Sequence, residues 1–251
     1  SAGAPLDRTD LRGWHFTLTG GLLTTLSPYG FAEGMTGRYA YTQDDYADCH
    51  EGLRRLRLVL TAAGRKPSSV ALLPDRSSRI LGLAAAEYLE VPAAPYRADR
   101  RENTLVVAYD LNSLAGRDDL TLLQLKERAP GELLFEHATC WTGPPVAAAD
   151  ISTFLHQFVV PPWGERLRAA PPEGADAGPV REEQPDTRTD EALATAILQS
   201  ALATPSDSGD GATPPDPPET PATLAAAVAP PWATTPRDQS PSPGPVRSAR
   251  F

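Results

Sequence analysis

The sequence predicts an α/β protein: a single, mainly parallel, twisted sheet with helices on both faces, an N-terminal β-hairpin and a long disordered C-terminal tail. Three observations predict it. Apolar runs without polar alternation, at residues 69–73 and 104–109, take turns with amphipathic stretches, which is the rhythm of strands buried on both faces. Of the 27 prolines, 9 fall in residues 1–160 and 18 in residues 161–251, so the chain is not one even globular fold. After Trp163-Gly164 the composition turns to Pro, Ala, Asp, Ser, Thr and Gly, too poor in apolar surface to offset chain entropy. The organisation that follows is a flexible N-terminus over 1–10, an α/β domain over 11–165 and an acidic, Pro/Ala-rich disordered tail over 166–251.

Taken in order, residues 14–19 alternate, Gly20-Gly21 follows, and residues 22–26 are β-prone again, which reads as the hairpin. Ser27-Pro28-Tyr29-Gly30 is a turn. Residues 43–63 have helical spacing, with a capping-box-like start at Thr42 and Asp45 and a stop at Gly64. Residues 69–73 form a strand, 74–78 a loop and 79–90 an Ala/Leu-rich helix. Residues 91–96 and 104–109 read as strands. Asp118-Asp119 open a helix that runs to about residue 128. Residues 133–140 form another strand. Asp150 caps a last helix whose Ile151, Phe154, Leu155 and Phe158 share one face.

Charge and cysteine content exclude several classes. The net charge is −9, with −6 carried by residues 161–251 and −3 by residues 1–160, which disfavours a nucleic-acid partner. No apolar run reaches the ~18 residues of a membrane span. Two cysteines, Cys49 and Cys140, are too few for a disulfide framework and fit a reducing, cytoplasmic setting. The 21 arginines against 2 lysines read as the coding bias of a GC-rich bacterial genome. The chain opens at Ser1 without an initiator Met and reads as a processed product, a tag remnant or a fragment, with no signal peptide in view.

Ligands of open α/β sheets bind beyond the carboxyl ends of the strands. Two strands here run into aspartate, at Leu73-Pro74-Asp75 and at Ala108-Tyr109-Asp110, which makes Asp75 and Asp110 the candidate acid–base groups. Arg76, Ser77, Ser78 and Arg79 follow the first at a helix start, where free N–H groups, hydroxyls and guanidinium groups suit an anion such as phosphate. Asn112 and Ser113 follow the second and suit sugar hydroxyls or a water. Both loops read equally as ordinary caps and Asx turns. His137 and Cys140, with Glu136 and Trp141 beside them, lack the partners of a metal centre and read as packing, so no metal site is expected. Cys49 and His50, adjacent on a helix, point apart. Trp14, Tyr39, Tyr41 and Tyr46 read as core or hairpin packing. No GxSxG, P-loop or GxGxxG pattern occurs.

The stretch from 69 to 110, with its strand, loop, Ala-rich helix ending Tyr88-Leu89-Glu90-Val91-Pro92 and later apolar strand, resembles the core of phosphoribosyltransferase-like domains. The resemblance implies a ligand site on the loop after that later strand, and Mg²⁺ wherever the family's chemistry is retained. The family carries an acidic pair and a Thr-Gly-rich loop there. This chain has Tyr109-Asp110-Leu111-Asn112-Ser113, with one acid and no Thr-Gly loop.

The tail adds a short helix at 190–203, with Leu193, Ile197 and Ala201 on one stripe, suited to a partner groove. Weak PxxP matches lie at 215–221, and Ser240-Pro241 and Ser242-Pro243 are generic phosphate acceptors. Together these features predict a cytoplasmic domain that binds a small phosphate- or nucleotide-type ligand. The alternative is a non-catalytic interaction or regulatory protein whose tail engages a protein partner. Neither nucleic acid nor membrane is expected as a partner.

Overall fold

The computed structural model describes residues 6–7, 10–26, 38–99, 103–127, 131–141, 147–169, 180–202, 216–217 and 219–228. Its centre is a seven-stranded parallel sheet. The strands are β1 (Leu22–Leu23), β2 (Arg38–Gln43), β3 (Ser69–Leu72), β4 (Ala93–Pro95), β5 (Thr104–Ala108), β6 (Leu133–Cys140) and β7 (Ile151–Val160). The order is β4-β3-β5-β6-β7, and β1 and β2 share the outer side of β7, opposite Ile151–Ser152 and residues 155–160 respectively. Between β4 and β5 the chain returns across β3, so the sheet reverses its order where β3 meets β5.

Helices cover both faces. Helices α2 (Tyr46–Ala62) and α3 (Arg76–Leu89) pack on one face, against Val70, Leu105, Val107, Leu133 and Phe135. On the other face, a 3₁₀ turn (Leu111–Ser113) and α4 (Asp119–Lys126) place Leu111, Leu114, Leu122 and Leu125 over Ala71, Val106, Ala108 and Leu134. Alternate residues of β5 thus enter opposite cores, which is why its sequence shows no polar face. Each fully buried Leu or Val contributes about 1.5–3 kcal/mol by leaving water.

Two expected elements differ. The N-terminal hairpin is instead helix α1 (Leu11–Thr19) followed by β1, which pairs parallel to β7. Six alternating residues satisfy either period, and the ends decide. Asp10 accepts from the Gly13 N–H, and Gly20 sits at φ 71°, the left-handed cap that glycine adopts without strain. The last helix expected after Asp150 is strand β7. Its spacing of 151, 154, 155 and 158 is coincidental, because the first six residues are all buried and β-branched or aromatic types dominate. Asp150 instead accepts from the Leu134 N–H at 2.7 Å, tying β6 to the start of β7. Helix α2 begins after Asp45, whose carboxylate caps Asp48, while Thr42 belongs to β2. The expected aromatic group is dispersed: Tyr41 stacks on Phe158, Tyr46 packs on Trp163, and the Trp14 indole donates to the Asp7 carbonyl.

In 166–251, the stretch that composition marks as tail, the described residues include four elements. Strands β8 (Arg166–Ala169) and β9 (Val180–Glu183) form an antiparallel ribbon. The helix expected at 190–203 is present as α5 (Asp190–Gln199), capped by Thr189, and its Leu193, Ala194 and Ile197 are buried in the core beside α2 and α3. Helix α6 (Glu219–Val228) packs along α2 and takes up Pro221 of the PxxP match in its first turn. Ahead of it, Asp216 accepts from Arg12 at 2.8 Å and from Arg55 at 3.1 Å, both nearly buried. The turn at 27–30 and the serines at 240 and 242 lie outside the described residues. No helix among the described residues is long and apolar enough to cross a membrane.

Candidate functional site

The carboxyl ends of β3 and β5 lie side by side at the reversal of strand order, the position where open α/β sheets leave a crevice. Asp75 and Asp110 stand on the two loops there. Each commits one oxygen to a cap: Asp75 Oδ1 accepts from the Ser78 N–H at 2.9 Å, and Asp110 Oδ1 from the Asn112 N–H at 2.8 Å. Their second oxygens differ. Asp75 Oδ2 is buried without a hydrogen-bond partner among the described residues, and Asp110 Oδ2 lies 3.6 Å from His156 Nε2.

The loop residues are placed as follows. Ser78 is buried, and its hydroxyl accepts from the Tyr109 N–H, joining α3 to the end of β5. Ser77 Oγ accepts from the Trp163 indole at 3.0 Å. Ser113 Oγ donates to the Asp110 carbonyl, and Asn112 uses its backbone N–H in the turn. Arg76 donates to Asp190 Oδ1 at 3.3 Å and to the carbonyls of Asp186 and Arg188 at 2.9 Å. Arg79 lies 3.9 Å from Asp190 Oδ2, donates to the Pro74 carbonyl, and is half exposed. The two guanidinium groups therefore converge on one carboxylate, supplied by the start of α5.

Two further groups at this edge were not singled out from the sequence. Glu136, fully buried in β6, accepts from the Leu111 N–H at 2.8 Å and from the Thr139 hydroxyl at 2.6 Å. Burial, reinforced by the charge of Asp110, pushes its carboxyl up to about 8. Asp110 is raised to about 6, by burial first and by Asp75 after the opposing Asn112 bond. His156, buried in β7, donates from Nε2 to the Ala138 carbonyl at 3.2 Å, and burial lowers it to about 4. Its Nδ1 has no hydrogen-bond partner among the described residues. The strand ends thus hold two carboxyls that titrate near neutrality beside a neutral imidazole, which is a set able to hold and pass a proton. The one sequence signal for them was polar Glu136-His137 inside an otherwise apolar strand.

On the sheet's other face, in the core under α2, Asp44 Oδ2 accepts from Tyr109 Oη at 2.7 Å, His137 Nε2 at 3.1 Å and Cys49 Sγ at 3.2 Å. Burial alone would raise Asp44, but the attraction of His137 and these three donors hold it below the ordinary carboxylate range. His137 Nδ1 meets Thr153 Oγ1 at 3.2 Å. Asp44, Cys49 and His137 present atoms of metal-ligating type within 4.8 Å of one another. Cys140, the other cysteine, is buried elsewhere, 3.8 Å from the Gln157 carbonyl.

The fold and these strand ends define a doubly covered, parallel-sheet α/β protein. No family model and no curated protein matches the sequence. Among solved structures, the chain is similar to a purine phosphoribosyltransferase from Pyrococcus horikoshii Ot3, with 13% sequence identity, a TM-score of 0.37, and coverage of 49% of this chain and 93% of that one. That is consistent with the weak resemblance read over 69–110, and at this level it assigns no residue and no substrate.

Proposed function

We propose that this domain binds a small phosphate- or nucleotide-type ligand at the strand ends between β3 and β5. The observation that carries the reading is the convergence of Arg76 and Arg79 on the Asp190 carboxylate: the edge already holds one anion, and a phosphate is its natural competitor. Glu136, raised to about 8 and so protonated at neutral pH, adds no charge to repel an anion there. Asp75 and Asp110 keep one oxygen each for hydroxyl groups of the ligand or for Mg²⁺, and Asn112 and Ser113 border the same loop. If catalysis occurs, Asp75 and Asp110 are the acid–base groups. The setting we assign is cytoplasmic.

A second reading is a non-catalytic interaction protein whose C-terminal segment engages a protein partner. The capping of Ser78 and Asn112 by Asp75 and Asp110 favours it, because those contacts need no ligand.

A thermal-shift screen of the full chain separates the two. Phosphate, nucleotides, ribose phosphates and phosphoribosyl pyrophosphate are tested with and without Mg²⁺. A ligand that binds only the native state, at 100 times its Kd, stabilises by about 2.7 kcal/mol. The ligand reading expects a hit that weakens in Arg79→Ala and strengthens in Asp190→Ala, which frees the guanidinium groups. No shift in either the wild type or Asp190→Ala would sink it and favour the interaction reading, to be followed by pull-downs with and without residues 166–251.

A further inference from the structure

The core group around Asp44 is separate from the strand-end edge, and the proposed ligand does not use it. Asp44 follows β2, Cys49 lies in the first turn of α2 five residues on, and His137 comes from β6, so two distant parts of the chain bring a carboxylate, a thiol and an imidazole to one point. Side chains of Asp44 and His137 are 2% and 0% exposed, and Cys49 is fully buried. Three donors, from Cys49, Tyr109 and His137, crowd a single oxygen, Asp44 Oδ2; Thr153 and Phe154 pack on the His137 ring, and Arg166 donates to the Asp44 carbonyl at 2.6 Å.

We infer that Asp44, Cys49 and His137 form a binding site for a divalent transition metal of the zinc type, with Asp44 Oδ2, Cys49 Sγ and His137 Nε2 as ligands.

Geometry comes first. Tetrahedral zinc, with arms of about 2.0–2.3 Å, holds its ligand atoms roughly 3.3–3.8 Å apart. Here the sulfur and the nitrogen lie 3.2 and 3.1 Å from the oxygen, and all three atoms are within 4.8 Å of one another, so small side-chain adjustments suffice. Charge comes second. A dication with one carboxylate, one thiolate and a neutral imidazole sums to zero, the only total that a buried site tolerates cheaply. On binding, the Cys49 S–H proton leaves to solvent, and the His137 Nε2–H proton is given up as the ring takes a proton at Nδ1, so that the neutral imidazole becomes its Nδ1–H tautomer; one proton is released in all, and the bonds to the metal replace the hydrogen bonds of Cys49 and His137 to Asp44 Oδ2.

The supporting contacts match those of metal-bound histidine. Thr153 Oγ1 stands where it accepts from Nδ1–H, which directs the Nε2 lone pair inward. Gly52, one turn after Cys49, lets α2 come this close: a Cβ there would lie 2.7 Å from His137 Nδ1 and 3.1 Å from Thr153 Oγ1. The Tyr109 hydroxyl, 2.7 Å from Asp44 Oδ2, borders the fourth position. One sulfur, one nitrogen and one oxygen suit zinc, or cobalt as its probe, better than magnesium or calcium, which prefer oxygen throughout. With every ligand buried, the ion loads during folding and is slow to leave.

The test uses the full chain, refolded with Co²⁺ and separately with Zn²⁺. With Co²⁺ we expect about one ion per chain and an intense near-ultraviolet cobalt–thiolate absorption, kept in Cys140→Ala and lost in Cys49→Ala. With Zn²⁺, X-ray absorption of the wild type should give one sulfur at about 2.3 Å and nitrogen or oxygen at about 2.0–2.1 Å. This measurement needs no variant, so it decides the matter even if Cys49→Ala fails to fold. Absence of bound metal in the refolded wild type, a shell without sulfur, or a thiolate band that survives in Cys49→Ala would each overturn the assignment.

Discussion

Asp44 and Glu136 are both fully enclosed carboxyls at the carboxyl-terminal end of the same sheet, and they behave oppositely. Asp44 is held ionised below its usual range, while Glu136 is pushed up to about 8 and carries a proton at neutral pH. Burial pushes both upward. What separates them is company: Asp44 collects an imidazole, a phenol and a thiol, whereas Glu136 has one hydroxyl, one N–H and the repelling charge of Asp110. Desolvation sets the cost of a buried charge, and the donors around it decide whether the cost is met or the group takes a proton. The first arrangement suits a cation, and the second suits a ligand that exchanges protons or brings its own negative charge.

The contrast can be broken most forcefully at Asp44. Asp44→Ala strands three buried donors, and we expect it to cost about 3–5 kcal/mol in denaturant unfolding of the metal-free chain. A cost below 1 kcal/mol would mean that the donors find other partners.

The next effect is a pH slope. Between the ordinary carboxyl value of 4.5 and about 8, folded Glu136 binds a proton that the unfolded chain has released, so stability falls as pH rises. Asp110, raised to about 6 by burial, pulls the same way below that value. His156, at about 4, opposes both below pH 6.5. Above pH 7 Glu136 dominates. Wild type should lose about 1 kcal/mol between pH 7 and about 8.5, and Glu136→Gln should flatten that loss. An equal slope in the variant would assign it elsewhere.

A smaller effect belongs to Asp110→Asn. Removing the neighbouring charge should move the Glu136 titration to lower pH without unfolding the domain, since the Asn112 cap survives in Asn. The smallest is Cys49→Ala, which removes one of three bonds to Asp44 and should cost about 1 kcal/mol in metal-free protein while leaving Glu136 unmoved.

How much of this the sequence discloses follows from where the partners lie. Strands β3 and β5, helix α3 and the Asp75 cap are local: apolar runs and a cap residue mark them, and the shared edge of Asp75 and Asp110 follows from parallel pairing. The sequences of helix α1 and strand β7 are ambiguous because their apolar patterns fit two periods, and only Gly20 on one side and a partner strand on the other resolve them. The Asp44 group was illegible because His137 is 93 residues from Asp44, and Cys49 pairs with neither His50 nor His137 in sequence. Glu136 was hidden by lying in an apolar run. The docking of α5 and α6 rests on contacts such as Arg12 to Asp216, 204 residues apart, which composition does not reveal.

The most direct test of the claim that joins these observations is a carboxyl-carbon NMR titration of the metal-free full chain, with Glu136 and Asp44 assigned through Gln and Asn variants. Glu136 should titrate near 8, and Asp44 should stay ionised down through 3.8. Both carboxyls titrating together at ordinary values would contradict it, and the strand ends would then lose their proton-carrying group.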